Sequence, residues 1–207
     1  VPSYLAGQLD LVGDFHQLFY QQAWNTKYRG VPVIKNPLDL WVYQEILYEV
    51  KPGWIIETGT FAGGSALYLA DLCEAMGHGH VTTIDIEENA QRPLHPRISY
   101  VRGNSADPLR LPMPAYKPSP VLVILDSDHT KVHVLKELER FAPLVTKGSY
   151  LIVEDTNISG HPIEDYSGDP MGAVLEFLST HPEFESDRSR EKYLISQNPF
   201  GYLRRIA

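Results

Sequence analysis

Two acidic clusters stand out, because each closes an apolar run. Asp126-Ser127-Asp128-His129 follows Val121-Leu122-Val123-Ile124-Leu125, and Glu154-Asp155 follows Tyr150-Leu151-Ile152-Val153. Carboxylates gathered in one place repel, and a bound divalent cation is the simplest relief. All-oxygen donors favour Mg2+, Mn2+ or Ca2+ over zinc. His129, on the turn after Asp126, is placed to take a proton from a cation-bound hydroxyl, which makes it a candidate general base. The plainer reading of such a histidine is a surface or capping residue, and that of any one of the acids is a helix cap or a group facing water. Asp128 reads as a cap or as a partner behind a ligand. His133 reads as structural.

A second constellation is Glu57-Thr58-Gly59-Thr60-Phe61-Ala62-Gly63-Gly64-Ser65, with Asp85 some way downstream. A glycine-rich turn between a strand and a helix presents backbone N–H groups to an anion. A pyrophosphate turn needs a glycine where bulky Phe61 stands, so a dinucleotide is disfavoured. A smaller anion, such as an amino-acid carboxylate, suits the turn. Asp85 is at the distance where such units place an acid on a ribose. Carboxylate and ribose without phosphate describe S-adenosylmethionine. The alternative is that the glycines only make a tight turn.

The elements that would position these groups follow from periodicity. Trp54–Glu57, Val81–Asp85, Ile98–Arg102, Val121–Leu125 and Ser149–Val153 are short β-rich runs, each but the third strongly apolar, which reads as an edge strand. Between them, Ala66, Leu69, Ala70, Cys73 and Met76 form one helical face, and Val134, Leu135, Leu138, Phe141 and Ala142 another. Asn36-Pro37-Leu38-Asp39 opens an earlier helix, with Asn36 as N-cap, Pro37 first and an acid in the first turn; Leu38, Trp41, Val42, Ile46, Leu47 and Val50 supply its apolar spacing. Lys51-Pro52-Gly53 stops it. The first thirty residues read as an amphipathic helix and loop packing on the rest. Pro108 to Pro120 reads as loop or weak helix, Thr156 to Pro170 as a long functional loop, and Met171 to Leu178 as a last helix. Phe184–Asp187, Tyr193–Gln197 and Tyr202–Ile206 alternate as strands of a terminal antiparallel hairpin. The expected whole is one α/β domain over residues 1–207, with 1–35 packed on it.

The 207 residues, 43% of them hydrophobic, suffice for a core without staples. A formal charge of −8 opposes a nucleic-acid partner. No run approaches the roughly 20 apolar residues of a membrane span, and the N-terminus, which begins at Val1 without a Met, lacks a signal-peptide layout. The lone Cys73 falls on an apolar face, as a buried thiol in a reducing compartment would. A cytoplasmic protein, open to forming a homo-oligomer, is expected.

The chain resembles the cephalosporin hydroxylase and rhamnosyl O-methyltransferase family over nearly its whole length. The matching stretches are Gly30-Val31-Pro32 with Asn36-Pro37-Leu38-Asp39-Leu40-Trp41, Ile55-Ile56-Glu57-Thr58-Gly59-Thr60 with Gly63-Gly64-Ser65, Leu125-Asp126-Ser127-Asp128-His129, Val153-Glu154-Asp155-Thr156-Asn157, and Gly201-Tyr202-Leu203-Arg204-Arg205. The family is similar to metal-dependent catechol O-methyltransferases. The resemblance implies a three-layer, Rossmann-like class I methyltransferase fold, S-adenosylmethionine and Mg2+ as cofactors, and the metal on Asp126, Glu154 and Asp155. It implies cofactor contacts from Glu57, Gly59, Thr60, Gly63, Ser65, Asp85, Ser105 and Asp126, and a small-molecule hydroxyl, of a sugar or other natural product, as acceptor. Catechol enzymes carry a basic lysine where His129 stands, which strengthens His129 as the base. They follow the adenine-contacting serine with glutamine; here Ser105 is kept but Ala106 cannot take that part. Two alternatives stay open. An Fe(II)/2-oxoglutarate hydroxylase needs two histidines and a carboxylate, and the one H-x-[DE] pattern, His181-Pro182-Glu183, has no later histidine to complete it. A non-catalytic S-adenosylmethionine-binding accessory protein is the other.

Overall fold

A computed structural model describes residues 9–112, 120–164 and 167–207. In chain order the elements are α1 (Leu9–Ala23), β1 (Lys27–Tyr28), β2 (Val31–Pro32), α2 (Pro37–Val50), β3 (Trp54–Thr58), α3 (Gly64–Ala75), β4 (Val81–Asp85), β5 (Ile98–Arg102), β6 (Val121–Leu125), α4 (Lys131–Phe141), β7 (Tyr150–Val153), α5 (Pro170–Thr180), β8 (Phe184–Ser186) and β9 (Tyr202–Arg205). The five β-rich runs are the strands the periodicity predicts. β3 and β6 are buried along their whole lengths, as central strands covered on both faces must be.

The main sheet runs β5-β4-β3-β6-β7-β9-β8. The first five strands pair in parallel, whereas β9 lies antiparallel to both β7 and β8. β5 is at the edge, half-buried, as its polar composition anticipates. One face packs on α2 and α3 through Val42, Ile46, Leu69 and Cys73, and the other on α4 and α5 through Leu138, Phe141, Val174 and Phe177. Three layers result. Burial pushes the Cys73 thiol up to about 11, consistent with a structural role. Strand order reverses between β3 and β6, and ligands in such sheets bind beyond the carboxyl ends at that switch point.

Two expectations change. Tyr193–Gln197 is not a strand: Ser196 and Gln197 spend their polar groups on Asp39 and Asn36 of the α2 start rather than on a ladder. Trp41 is 57% exposed, on the outer side of α2, its indole N–H donating to Glu45. The Pro108–Pro120 connector has no helix or strand over 108–112, and 113–119 lie outside the described residues, as do 1–8 of the N-terminal segment and 165–166 of the long loop.

Candidate active site

Beyond the carboxyl ends of β3, β4, β5, β6 and β7 lies a cleft of about 630 Å3. Of the sequence-predicted residues, Gly59, Thr60, Ser65, Asp85, Ser105, Asp126, His129 and Asp155 line it; Glu57, Gly63 and Glu154 do not.

The turn after β3 has to pass close under β6. Gly59 has φ +82, and a Cβ on it would stand 1.6 Å from the Asp126 carbonyl oxygen, so only glycine fits. α3 then starts without a side-chain cap, leaving its first N–H groups for an anion. Glu57 lies beneath the turn, fully buried, and accepts from the Thr83 hydroxyl at 2.6 Å; burial pushes its pKa up. It supports the turn from below. Asp85 accepts from the Phe61 N–H at 2.8 Å and from Arg92 at 2.9 Å, while Arg92 also donates to the Phe61 carbonyl. Arg92 thus staples the acid to the glycine turn. Ser105 Oγ is 3.2 Å from His133 Nε2, and Ser127 Oγ is 3.1 Å from the same nitrogen and donates to the buried Glu137. His133, predicted to be structural, is therefore also part of the cleft wall. Asp128 accepts from the Thr130 N–H just before α4, which settles it as a turn-forming residue at the cleft edge.

Asp126, His129 and Asp155 each bring one donor atom to within 4.8 Å of the others, and His129 Nε2 is 3.3 Å from Asp155 Oδ2. The two carboxylates suit a hard divalent cation, with the imidazole beside them. Glu154 is turned away, 4% exposed, and its Oε1 accepts from the Tyr43 hydroxyl at 2.7 Å. The same oxygen accepts from Lys35 Nζ at 2.6 Å, and Lys35 reaches Asp126 Oδ2, also at 2.6 Å. Burial alone would lower the lysine pKa; the Asp126, Glu154 and Glu57 charges outweigh it and hold Lys35 above its ordinary value. Burial likewise pushes Asp155 and Glu154 up to about 6, against His129 for the first and Lys35 for the second.

Lys35 reaches this point because the segment before α2 is folded inward. Thr26 and Lys35 exchange hydrogen bonds, and Gly64 lets the β1–β2 hairpin press on α3, since a Cβ there would be 2.2 Å from the Pro32 carbonyl oxygen. Ile34 has φ +47, rare for a β-branched residue, and it too lines the cleft; Phe61 at +49 and Asp155 at +54 share the left-handed region. Three such residues around one cleft mark where the backbone is held in costly conformations. α1 lies over the loop after Asp155 through His16–Asn157 and Gln17–Pro162 hydrogen bonds and lends Tyr20 to the wall, joined by Trp24 just past its end.

Sequence reasoning missed Lys35, Tyr43 and Arg92. The sole hint for Lys35 was a charge set directly between Val33-Ile34 and the Asn36 cap, where a solvated lysine has little room.

Switch-point cleft, glycine turn, strand-tip acid and a carboxylate cluster on adjacent strands together define a Rossmann-like methyltransferase fold. The rhamnosyl O-methyltransferase/CmcI family profile matches residues 20–206. Rhamnosyl O-methyltransferase of Mycobacterium tuberculosis is 36% identical over 203 residues, 92% of this chain and 83% of its own; that of Mycobacterium leprae is 35% identical over 191 residues, covering 86% and 83%. Among solved structures, CmcI-N160 with SAH superposes with a TM-score of 0.65 at 26% identity, covering 88% of this chain and 83% of the other. The chain belongs to the rhamnosyl O-methyltransferase/CmcI family.

Proposed function

We propose that the protein transfers the methyl group of S-adenosylmethionine to a hydroxyl of a sugar, with Mg2+ as the required ion. Asp126 carries this reading. Its backbone packs on Gly59 of the anion-binding turn, and its carboxylate joins His129 and Asp155, so the cofactor end and the ion end of one cleft meet at a single residue. The relatives named for rhamnosyl O-methylation support a sugar acceptor, and the neighbouring structure holding SAH supports the cofactor. His181, from the pattern an iron oxygenase would use, stacks on Phe177 at 3.9 Å and is not among the cleft residues.

In this mechanism Ser65 and the turn N–H groups hold the methionine carboxylate, Asp85 the ribose, and Ser105 the adenine edge. Asp126 and Asp155, with Glu154 behind them, hold the ion. When bound, Mg2+ supplies the Lewis acidity that lowers the pKa of the acceptor hydroxyl. The acceptor oxygen forms its bond to the methyl carbon as the carbon–sulfur bond breaks, and the sulfonium leaves as a neutral thioether. His129 takes the hydroxyl proton, and Asp155 at 3.3 Å stabilises the imidazolium that forms. Tyr20 and Trp24, which also line the cleft, offer the acceptor an aromatic wall.

The test is Asp126→Asn. Methyl transfer is expected to be lost while S-adenosylhomocysteine still binds by calorimetry. Loss of cofactor binding with Mn2+ affinity intact would refute the assignment.

A further inference from the structure

Lys35 takes no part in the steps above, yet it touches two of the acids. Its ammonium is 2.6 Å from Asp126 Oδ2 and 2.6 Å from Glu154 Oε1, with the side chain only 2% exposed. A carboxylate has two oxygens, and the lysine holds one from each. It is itself fixed from outside the sheet, by the Thr26 bonds to its backbone and by the inward turn at Ile34. The ammonium therefore cannot swing into water without undoing the approach to α2.

Asp126, Glu154 and Asp155 against one ammonium leave two net negative charges, matched in number by a divalent ion. Without the lysine the loaded cluster would stay anionic. A positive charge at this range acts in two opposed directions: it repels an incoming cation, and it stabilises negative charge developing on an oxygen at the same place. Like charges so close would otherwise spread apart or take up protons before an ion arrives. We infer that Lys35 is a resident counter-cation of the ion site, which positions Asp126 and Glu154 and weakens ion binding in exchange for a more positive potential at the acceptor oxygen. This rests on the Mg2+-dependent methyltransferase reading proposed above.

The experiment is calorimetric titration of Mn2+ and Mg2+ into wild-type protein, Lys35→Met and Lys35→Gln, with kcat measured at saturating ion. Lys35→Met should bind Mn2+ at least tenfold more tightly and turn over at least tenfold more slowly. A merely structural role would lower affinity and kcat together, and that result, or an unchanged affinity, overturns the inference. Lys35→Gln keeps a donor to one carboxylate but not the charge, and shows the same split should Lys35→Met fail to fold. Failure of both to fold at any Mn2+ concentration also overturns it, because the ion should replace the missing charge. Wild-type protein that binds neither ion removes the Mg2+ reading and the inference together. Wild-type binding without tightening in the variants removes the inference alone.

Discussion

Asp39 sits in the first turn of α2, where an acid complements the helix dipole, but its side chain points inward. Ser196 Oγ, the Gln197 N–H and the Tyr202 hydroxyl all donate to it. Burial nevertheless outweighs those donors and pushes its pKa from 3.8 to about 6. The folded chain thus keeps this proton over a window, from pH about 4 to about 6, in which the unfolded chain has lost it. Stability from this group is present below that window and falls as pH rises through it, by on the order of 3 kcal/mol. Melting curves across pH 4 to 6 should show the decline, to which Glu154 and Asp155 add, and Asp39→Asn should make it shallower; an equal slope in the variant would contradict the assignment. Residues at strand tips were legible in the sequence because an apolar run ending in an acid aims that acid at the cleft, as with Asp85 and Asp126; after β7 the tip acid Glu154 turns away and its neighbour Asp155 faces the cleft instead. Lys35 was not, since its partners lie 91 and 119 positions away and no local pattern reports a pairing at that separation.

At the scale of elements, the central strands and the α2 cap were readable because β-branched runs and an Asn-Pro start have few other solutions. Tyr193–Gln197 was misread because alternating polar and apolar residues also suit a loop that lays its polar groups against a helix start. The β1–β2 hairpin was too short to show a period, yet it is what carries Lys35 inward. Gly64 decides whether it can lie there. Gly64→Ala should destabilise by about 1–3 kcal/mol in thermal unfolding, as overpacking against a backbone does. Gly13→Ala, where an added Cβ meets nothing within 4 Å in mid-helix α1, is the control and should be neutral or slightly stabilising. Equal effects at the two glycines would remove the case for close hairpin packing.

Taken as a whole molecule, the sheet gathers its chemistry at one edge, the carboxyl ends of β3 to β7, and leaves the opposite edge to turns. Among the described residues no helix is long and apolar enough to cross a membrane. Because the cleft draws on every central strand, a ligand there should stabilise the entire fold. S-adenosylhomocysteine at a hundredfold excess over its Kd should add about 2.7 kcal/mol, which for a chain of this size raises Tm by roughly 5 to 10 °C. No shift with this ligand would argue against the cofactor.

The Lys35 bridge also bears on the order in which the protein is made. A ribosome delivers Lys35 well before Glu154, and Asp39 before Ser196, separations of 119 and 157 positions. While strands β3 to β6 can pair as they emerge and bring Asp126 to the lysine, its second acid, Glu154, follows only with β7, so that final closure joins distant parts of the chain. During synthesis, then, the nascent chain carries a lysine with only one of its two acids and an unburied α2 start, and the interval before β7 and β9 dock is when a chaperone would find them exposed.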